Sequence, residues 1–301
     1  MDISKKFGSI RTSFQEFIRS KGGKCALPVY ILLAAGFLAP LFMVFGFSFA
    51  TPRTYDAFTS FSLENFIHIF DGSTSVWRSY VWSIALAACV TAILAVVCYP
   101  IAVGMVRIFG RKTSSFISIL FVFPLFVSEN VRLYGWILFF GKNGVLDGVC
   151  KFLGFNGPDV LFTPEMTAMG LAYSFLPYML FPVIMGVNLV PKDHLTAARD
   201  LGANSFQVFT KVIFPLSLPG VVSGITMVFM PAVTTFAISR LLGGGKFMLI
   251  GDLIEQQFTV VGDWNFGSAV SIFMMIIILI SMAVMSRFED ESDKEGGGLL
   301  F

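Results

Sequence analysis

Charge is scarce in this chain. Of its 301 residues only 13% are Asp, Glu, Lys or Arg, about half the share usual in soluble domains. The 21 basic and 19 acidic residues nearly cancel, leaving a net charge of +2. That balance carries no electrostatic footprint for nucleic acid. Cysteine and histidine are rare too. Cys25, Cys89, Cys98 and Cys150 form no CxxC pair, and Cys89 and Cys98 share one apolar run. A disulfide framework and a zinc site are both disfavoured. His68 and His194 lie far apart with no ligand-spaced neighbours, which argues against a metal enzyme. No GxxxxGK[ST] loop occurs: Gly243-Gly244-Gly245-Lys246 is followed by Phe247, so no phosphate cradle is specified. No Ser-His-Asp set or paired-carboxylate site stands out. If the chain performs work, the energy comes from an ion gradient or from another subunit.

Apolar residues are abundant, at 55%, with a mean hydropathy of +0.79. A soluble domain of this size cannot hide so much apolar surface, because burial on folding stays incomplete. Lipid is the expected solvent. Six segments are long enough to span a bilayer, which takes about 20 residues: 27–50, 79–106, 116–140, 166–190, 212–239 and 264–286. All are charge-free except the third, which holds Glu129 and Arg132. Internal prolines are tolerated because neighbouring helices can satisfy the freed backbone groups.

Basic residues orient the spans. With the N-terminus cytoplasmic, the inner segments are the N-tail, 107–115, 191–211 and the C-tail, and they carry fourteen of the 21 Lys and Arg. Both termini are therefore expected inside. Residues 1–26 combine six basic residues with Phe7, Ile10, Phe14, Phe17 and Ile18 at helical spacing. They read either as an amphipathic helix on the cytoplasmic leaflet or as a basic tail that serves topology alone. The stretch 289–301, with five acids and three glycines, reads as a disordered tail.

The cytoplasmic stretch 191–215 is the most informative. Asp193 suits a helix N-cap, Gly202 a left-handed helix end, and Asn204 with Gln207 a capping box. The expectation is helix, sharp turn, helix, leading into the fifth span. Ala197-Ala198 between Leu195 and Leu201 offers small side chains where another surface could approach the backbone, which suits docking into a partner's groove.

Thr196-Ala197-Ala198, three residues, Gly202, nine residues, then Val212-Ile213-Phe214-Pro215 resembles the EAA loop of binding-protein-dependent ABC importer permeases. That family's pattern is Glu-Ala-Ala, three residues, Gly, nine residues, Ile-x-Leu-Pro. The spacing agrees throughout. Thr196 replaces the Glu and removes a charge, while Val212 and Phe214 keep apolar character. Within the family, Pro124 with Val131-Arg132-Leu133-Tyr134-Gly135-Trp136 resembles the spermidine/putrescine permease group. So do Pro231-Ala232, Leu242-Gly243-Gly244, Leu249-Ile250-Gly251 and Asp263-Trp264.

The resemblance covers roughly 76–288, with the first span as an N-terminal addition. It implies an all-α polytopic membrane protein of six transmembrane helices, with the type I ABC importer permease fold, in a bacterial inner membrane. It implies a non-catalytic permease subunit that binds no cofactor, ATP and magnesium belonging to the partner. The implied partners are a cytoplasmic ATPase dimer, a second homologous permease subunit, an extracytoplasmic polyamine-binding protein and membrane lipid. The coupling loop spans 191–212. Within it Asp193, Leu195, Thr196, Ala197, Ala198, Arg199, Asp200, Leu201 and Gly202 would dock on the ATPase. Relatives on the same scaffold carry ferric ion, thiamine or phosphonates, so these solutes stay open beside polyamines. A stand-alone carrier would need internal repeats or further intramembrane carboxylates, and only Glu129 is present.

Candidate pathway residues follow from chemistry. Glu129 and Arg132 are three apart and share a helical face. Either Glu129 faces the path and assists a cation, or the two charges neutralise each other and fix packing. Tyr134, Trp136, Tyr173, Tyr178 and Phe236 offer ring faces to ammonium groups, though each also suits packing or an interfacial position. Thr235 and Ser239, four apart, would share a face and line the path or bond between helices. Arg240 sits awkwardly with a polycation unless Asp252, Glu255 or Asp263 pairs with it or it binds the receptor protein.

Overall fold

A computed structural model describes residues 21–52, 61–70, 74–155, 157 and 159–297. The described residues are helical, without strands. The elements are α1 (Lys21–Phe49), α2 (Glu64–Phe70), α3 (Thr74–Val103), α4 (Arg111–Val122), α5 (Glu129–Phe140), α6 (Val145–Phe152) and α7 (Pro164–Leu189). They continue with α8 (Lys192–Asp200), α9 (Ser205–Val208), α10 (Phe214–Thr234), α11 (Ala237–Leu242), α12 (Ile250–Gln256) and α13 (Trp264–Gly297). Widened π-turns extend α3 through Gly104–Ile108 and join α9 to α10 through Phe209–Ile213. The first twenty residues lie outside the described part, and so does the amphipathic reading placed on them.

Five stretches are long and apolar enough to cross a bilayer: Pro28–Phe49, Val76–Ile108, Pro164–Leu189, Ser205–Thr234 and Trp264–Arg287. They match five of the six expected spans to within a few residues, except that the fifth begins earlier and stops at Thr234. The third span is corrected. Instead of one helix over 116–140, Lys112–Phe126 and Glu129–Phe152 form a pair bent by 99°. Pro124 sits in a tight turn over Phe123–Phe126, and Val127 and Ser128 are extended, with ψ of 133° and 136°. Two consecutive extended residues end one helix and reset the direction of the next. The acidic stretch after Arg287 continues α13 as far as Gly297.

The chain divides into two compact units, one of residues 1–67 with 263–272, the other of 68–262 with 273–301. In the first, the end of α1 is held by two buried asparagines. Asn65 donates to the carbonyls of Ser48 and Ala50 at 3.2 and 2.8 Å, and Asn265 donates to Phe47 at 3.2 Å. The last carbonyls of a helix lack intrahelical donors, so these side chains supply what the helix cannot. The Trp264 ring meets Phe47 edge-on at 5.9 Å.

In the second unit α3, α7 and α10 pack against one another. Val90, Leu94 and Cys98 of α3 meet Leu171, Leu180 and Val183 of α7 and Val221 and Val228 of α10 in one buried cluster. The approach of α7 to α10 is set by glycine. A Cβ on Gly220 would lie 2.5 Å from the Pro182 carbonyl oxygen and 2.7 Å from the Gly186 Cα. Small residues let backbones come this close in lipid, where apolar burial no longer drives association. Thr163 caps α7 by accepting the Met166 N–H at 3.2 Å.

Candidate functional site

The loop between α7 and α10 folds from local rules. Gly202 adopts φ +83°. Its N–H donates to Arg199 at 2.9 Å and that of Ala203 donates to Ala198 at 3.0 Å. These two bonds satisfy the last carbonyls of α8 and turn the chain sharply. Asn204 and Gln207 then cap α9 reciprocally, with bonds of 2.8 and 3.0 Å. One expectation is corrected: Asp193 does not cap. Pro191 is the N-cap residue and makes no side-chain bond. The helix starts earlier than a cap at Asp193 requires, so Asp193 falls inside the first turn. There its charge still opposes the positive end of the helix dipole.

The loop has two faces. Leu195, Ala198 and Ala203 pack on the buried cluster, with Val208 and Ile213 within it. Asp193, Thr196, Ala197, Arg199, Asp200, Leu201 and Gly202 line the outer side. The two alanines therefore separate, Ala198 inward and Ala197 outward, because consecutive helical residues point about 100° apart. Thr196 turns its hydroxyl onto its own helix, donating to Lys192 at 3.2 Å. The outer face carries two large apolar side chains, Leu201 at 88% and Phe206 at 73% exposure. Sequence reasoning misses Phe206. A signal for it exists, since an aromatic residue follows the capping Asn204 by two positions in a polar loop.

The expected pathway residues fall in three places. At the first, α5 meets α7. The Arg132 guanidinium lies over the Tyr173 ring at 5.5 Å, and Trp136 meets Tyr173 edge-on at 5.2 Å. Arg132 Nε and Nη1 are buried without a hydrogen-bond partner. Glu129 does not pair with Arg132: the described ion pairs are Lys142–Asp159, Lys151–Asp147 and Arg240–Glu255. Glu129 is exposed in the first turn of α5, immediately after the break. The self-neutralising pair is thus ruled out in this conformation. Tyr134 is exposed.

At the second place, Tyr178 lines a cleft of about 550 Å³ between α7 and α10, with Leu125, Phe181, Met185, Ser223 and Met227. At the third, Thr235 and Phe236 form the break between α10 and α11, and Ser239 is fully buried. The single helical face that their spacing predicts for Thr235 and Ser239 does not form. The extended Thr235, with ψ 143°, leaves Ser239 on a separate helix. Arg240 pairs with Glu255 at 2.5 Å, so its charge is answered within the chain. Beside it Asp252 is pushed above the ordinary carboxylate range by burial. The Ser239 hydroxyl, the Leu249 N–H and the Arg240 charge oppose that shift.

Two residues outside the expected set brace the loop. Arg107 Nη2 donates to the carbonyls of Val187 and Val190 at 2.8 and 2.6 Å. The Tyr99 hydroxyl shares a 2.8 Å hydrogen bond with that of Ser217.

Apolar helices in this number, one span of them broken, mark a multi-pass membrane protein. Residues 95–291 match the family described as the binding-protein-dependent transport system inner membrane component, and the chain belongs to that family. The spermidine/putrescine transport system permease protein PotB of Haemophilus influenzae is 33% identical over 255 residues, 83% of this chain and 87% of that protein. PotB of Escherichia coli is 32% identical over 252 residues, 82% and 90% respectively. Among solved structures, a bacterial ABC transporter for import of the acidic polysaccharide alginate has a chain that superposes with a TM-score of 0.76. That likeness has 13% identity and covers 96% of this chain and 99% of that one. A chain of the MetNI methionine ABC transporter, inward facing, superposes with a TM-score of 0.53 at 17% identity, over 72% and 96%. These likenesses show the fold, that of an ABC importer permease.

Proposed function

We propose that this chain is one permease subunit of a polyamine importer in a bacterial inner membrane, both termini cytoplasmic. It would supply half of the translocation path. A second homologous permease would supply the other half, and an extracytoplasmic receptor would deliver spermidine or putrescine. Residues 193–202 would dock on a cytoplasmic ATPase dimer that holds the ATP and magnesium. The observation that carries the reading is the shape of the 191–213 loop, whose inner face is packed and whose outer face offers Leu201 and Phe206. An ATPase groove that closes on nucleotide would bind this face differently in its two states, and that differential affinity is what coupling requires.

Identity to spermidine/putrescine permeases over more than four-fifths of the chain supports the substrate class. The internal pairing of Arg240 with Glu255 is compatible with a polycation. Exposed rings at Tyr134, Tyr178 and Phe236 suit ammonium groups.

The test is the assembled transporter in lipid nanodiscs. Labelled putrescine or spermidine should be taken up with ATP, and ferric ion, thiamine and phosphonate should not compete. Ala197→Glu should reduce recovery of the ATPase with the permease while insertion stays normal. Full recovery and full substrate-stimulated hydrolysis in that variant would overturn the docking role. Competition by one of the other solutes would overturn the substrate class.

A further inference from the structure

The loop between α7 and α10 is tied at both roots to one helix. At its first root Arg107, in the π-turn that ends α3, bonds to the carbonyls of Val187 and Val190. These are carbonyls at the end of α7 that the helix leaves without donors, and a charged donor makes the bonds about twice as strong as neutral ones. At its second root Tyr99 stands edge-on to Phe209 at 5.6 Å and to Phe214 at 5.4 Å, with its hydroxyl on Ser217. Tyr99 and Ser217 are both buried. A loop held at one root can pivot on it. A loop held at both roots by one helix cannot move as a body unless that helix moves with it.

The opposite end of α3 is bonded as well. The Ser83 hydroxyl accepts the Ile250 N–H at 2.8 Å, at the start of α12. The next residue, Gly251, lies against the α10–α11 break: a Cβ there would sit 2.7 Å from the carbonyl oxygens of Thr234 and Thr235. Ser83 and Arg107 are 24 positions apart, about 36 Å at 1.5 Å per residue, enough to traverse a bilayer core.

We propose that α3 is the transmission element of the subunit, with Tyr99 and Arg107 as positioning residues that make it follow the loop. Ser83 hands that movement to the α10–α11 break. The proposal rests on the docking role assigned above to residues 193–202. It supplies a continuous packed element that both ends touch, and whether both ends bias its position is what the experiment reads.

The experiment uses the complete transporter in nanodiscs with its ATPase, second permease and receptor. The readouts are ATPase recovered with the permease, basal hydrolysis, receptor-stimulated hydrolysis, and substrate moved per ATP. Tyr99→Phe removes only the hydroxyl, and Arg107→Gln removes the charge. Both should keep ATPase recovery and basal hydrolysis, yet lose receptor stimulation by about fivefold or more, the lower end of ordinary coupling strengths. Arg107→Lys should restore part of it. If Arg107→Gln fails to assemble, Ser83→Ala carries the same test from the other end of α3. Unchanged stimulation in Tyr99→Phe and Ser83→Ala would overturn the proposal, as would losses that merely track a lower melting temperature. Leu201→Asp separates the two claims. If that variant retains its ATPase and normal stimulation, the docking role itself fails, whatever the α3 variants do.

Discussion

α1 and α7 are both apolar helices of membrane-spanning length, yet their surroundings are opposite. The apolar stretch of α1 has a mean hydropathy of 2.2 and is 6% buried, while that of α7 has 1.6 and is 50% buried. The less apolar helix is the more enclosed. In water the order would be reversed. In lipid a leucine gains little by leaving the tails, so helices associate where small residues and polar bonds allow close contact. α7 carries Gly170, Ser174 and Gly186, all buried, whereas α1 presents Leu32, Phe37 and Phe42 outward. Hydropathy identifies a span but not its packing: α1 has a small-residue run of its own, Ala34-Ala35-Gly36, and a Cβ on Gly36 would meet nothing within 4 Å.

Three substitutions probe that contrast and a fourth tests a buried carboxyl, in descending size of effect. Gly220→Val places methyls where the Pro182 carbonyl and the Gly186 Cα already crowd. Overpacking of this kind costs about 1–3 kcal/mol or more, and thermal unfolding in detergent should show it, with much reduced recovery of folded permease. A normal melting curve would mean that the glycine crossing does not hold α7 to α10. Asn65→Leu leaves the carbonyls of Ser48 and Ala50 without its amide donors, at roughly 1–3 kcal/mol for a buried orphan group. The same melting measurement tests whether α1, so little enclosed along its length, is anchored at its end. An unshifted transition would deny the anchor.

Asp252 gives a smaller, pH-dependent effect. Burial raises its folded-state pKa, so the fold favours the protonated carboxyl. Its contribution is fully present below the ordinary aspartate pKa and fades as pH rises through the raised value. Asp252→Asn should flatten that part of the stability–pH curve, and an unchanged slope would remove Asp252 as its source. Leu32→Ala, on the exposed face of α1, should shift stability by less than about 0.5 kcal/mol. A large loss there would mean that α1 is held along its length and would break the comparison.

Much of the 191–213 loop is legible in the order of its residues. Gly202 and the Asn204–Gln207 pair act over three to five positions, and short-range backbone chemistry survives any tertiary context. The five unbroken spans are legible for a related reason, since lipid demands long apolar helices. The third span is not. Pro124 warns of a break, but prolines are tolerated inside α7 and α10, at Pro177, Pro182, Pro219 and Pro231. Nothing local separates the two outcomes. The Thr235–Phe236 break is equally hidden, so the expected shared face of Thr235 and Ser239 does not form. Asp193 shows the limit at single-residue scale, because a helix start shifted by a position or two moves a capping side chain into the helix.

From the chain alone come the solvent, five of the spans, the family and the turn chemistry of the loop, all set by composition or by neighbours a few residues away. Which alanine faces inward, where Arg107 finds its carbonyls, and what Tyr99 touches depend on residues up to 118 positions apart. Only the packing of α3, α7 and α10 brings such groups within bonding distance, because a 2.8 Å hydrogen bond depends on helix crossings that no local pattern encodes.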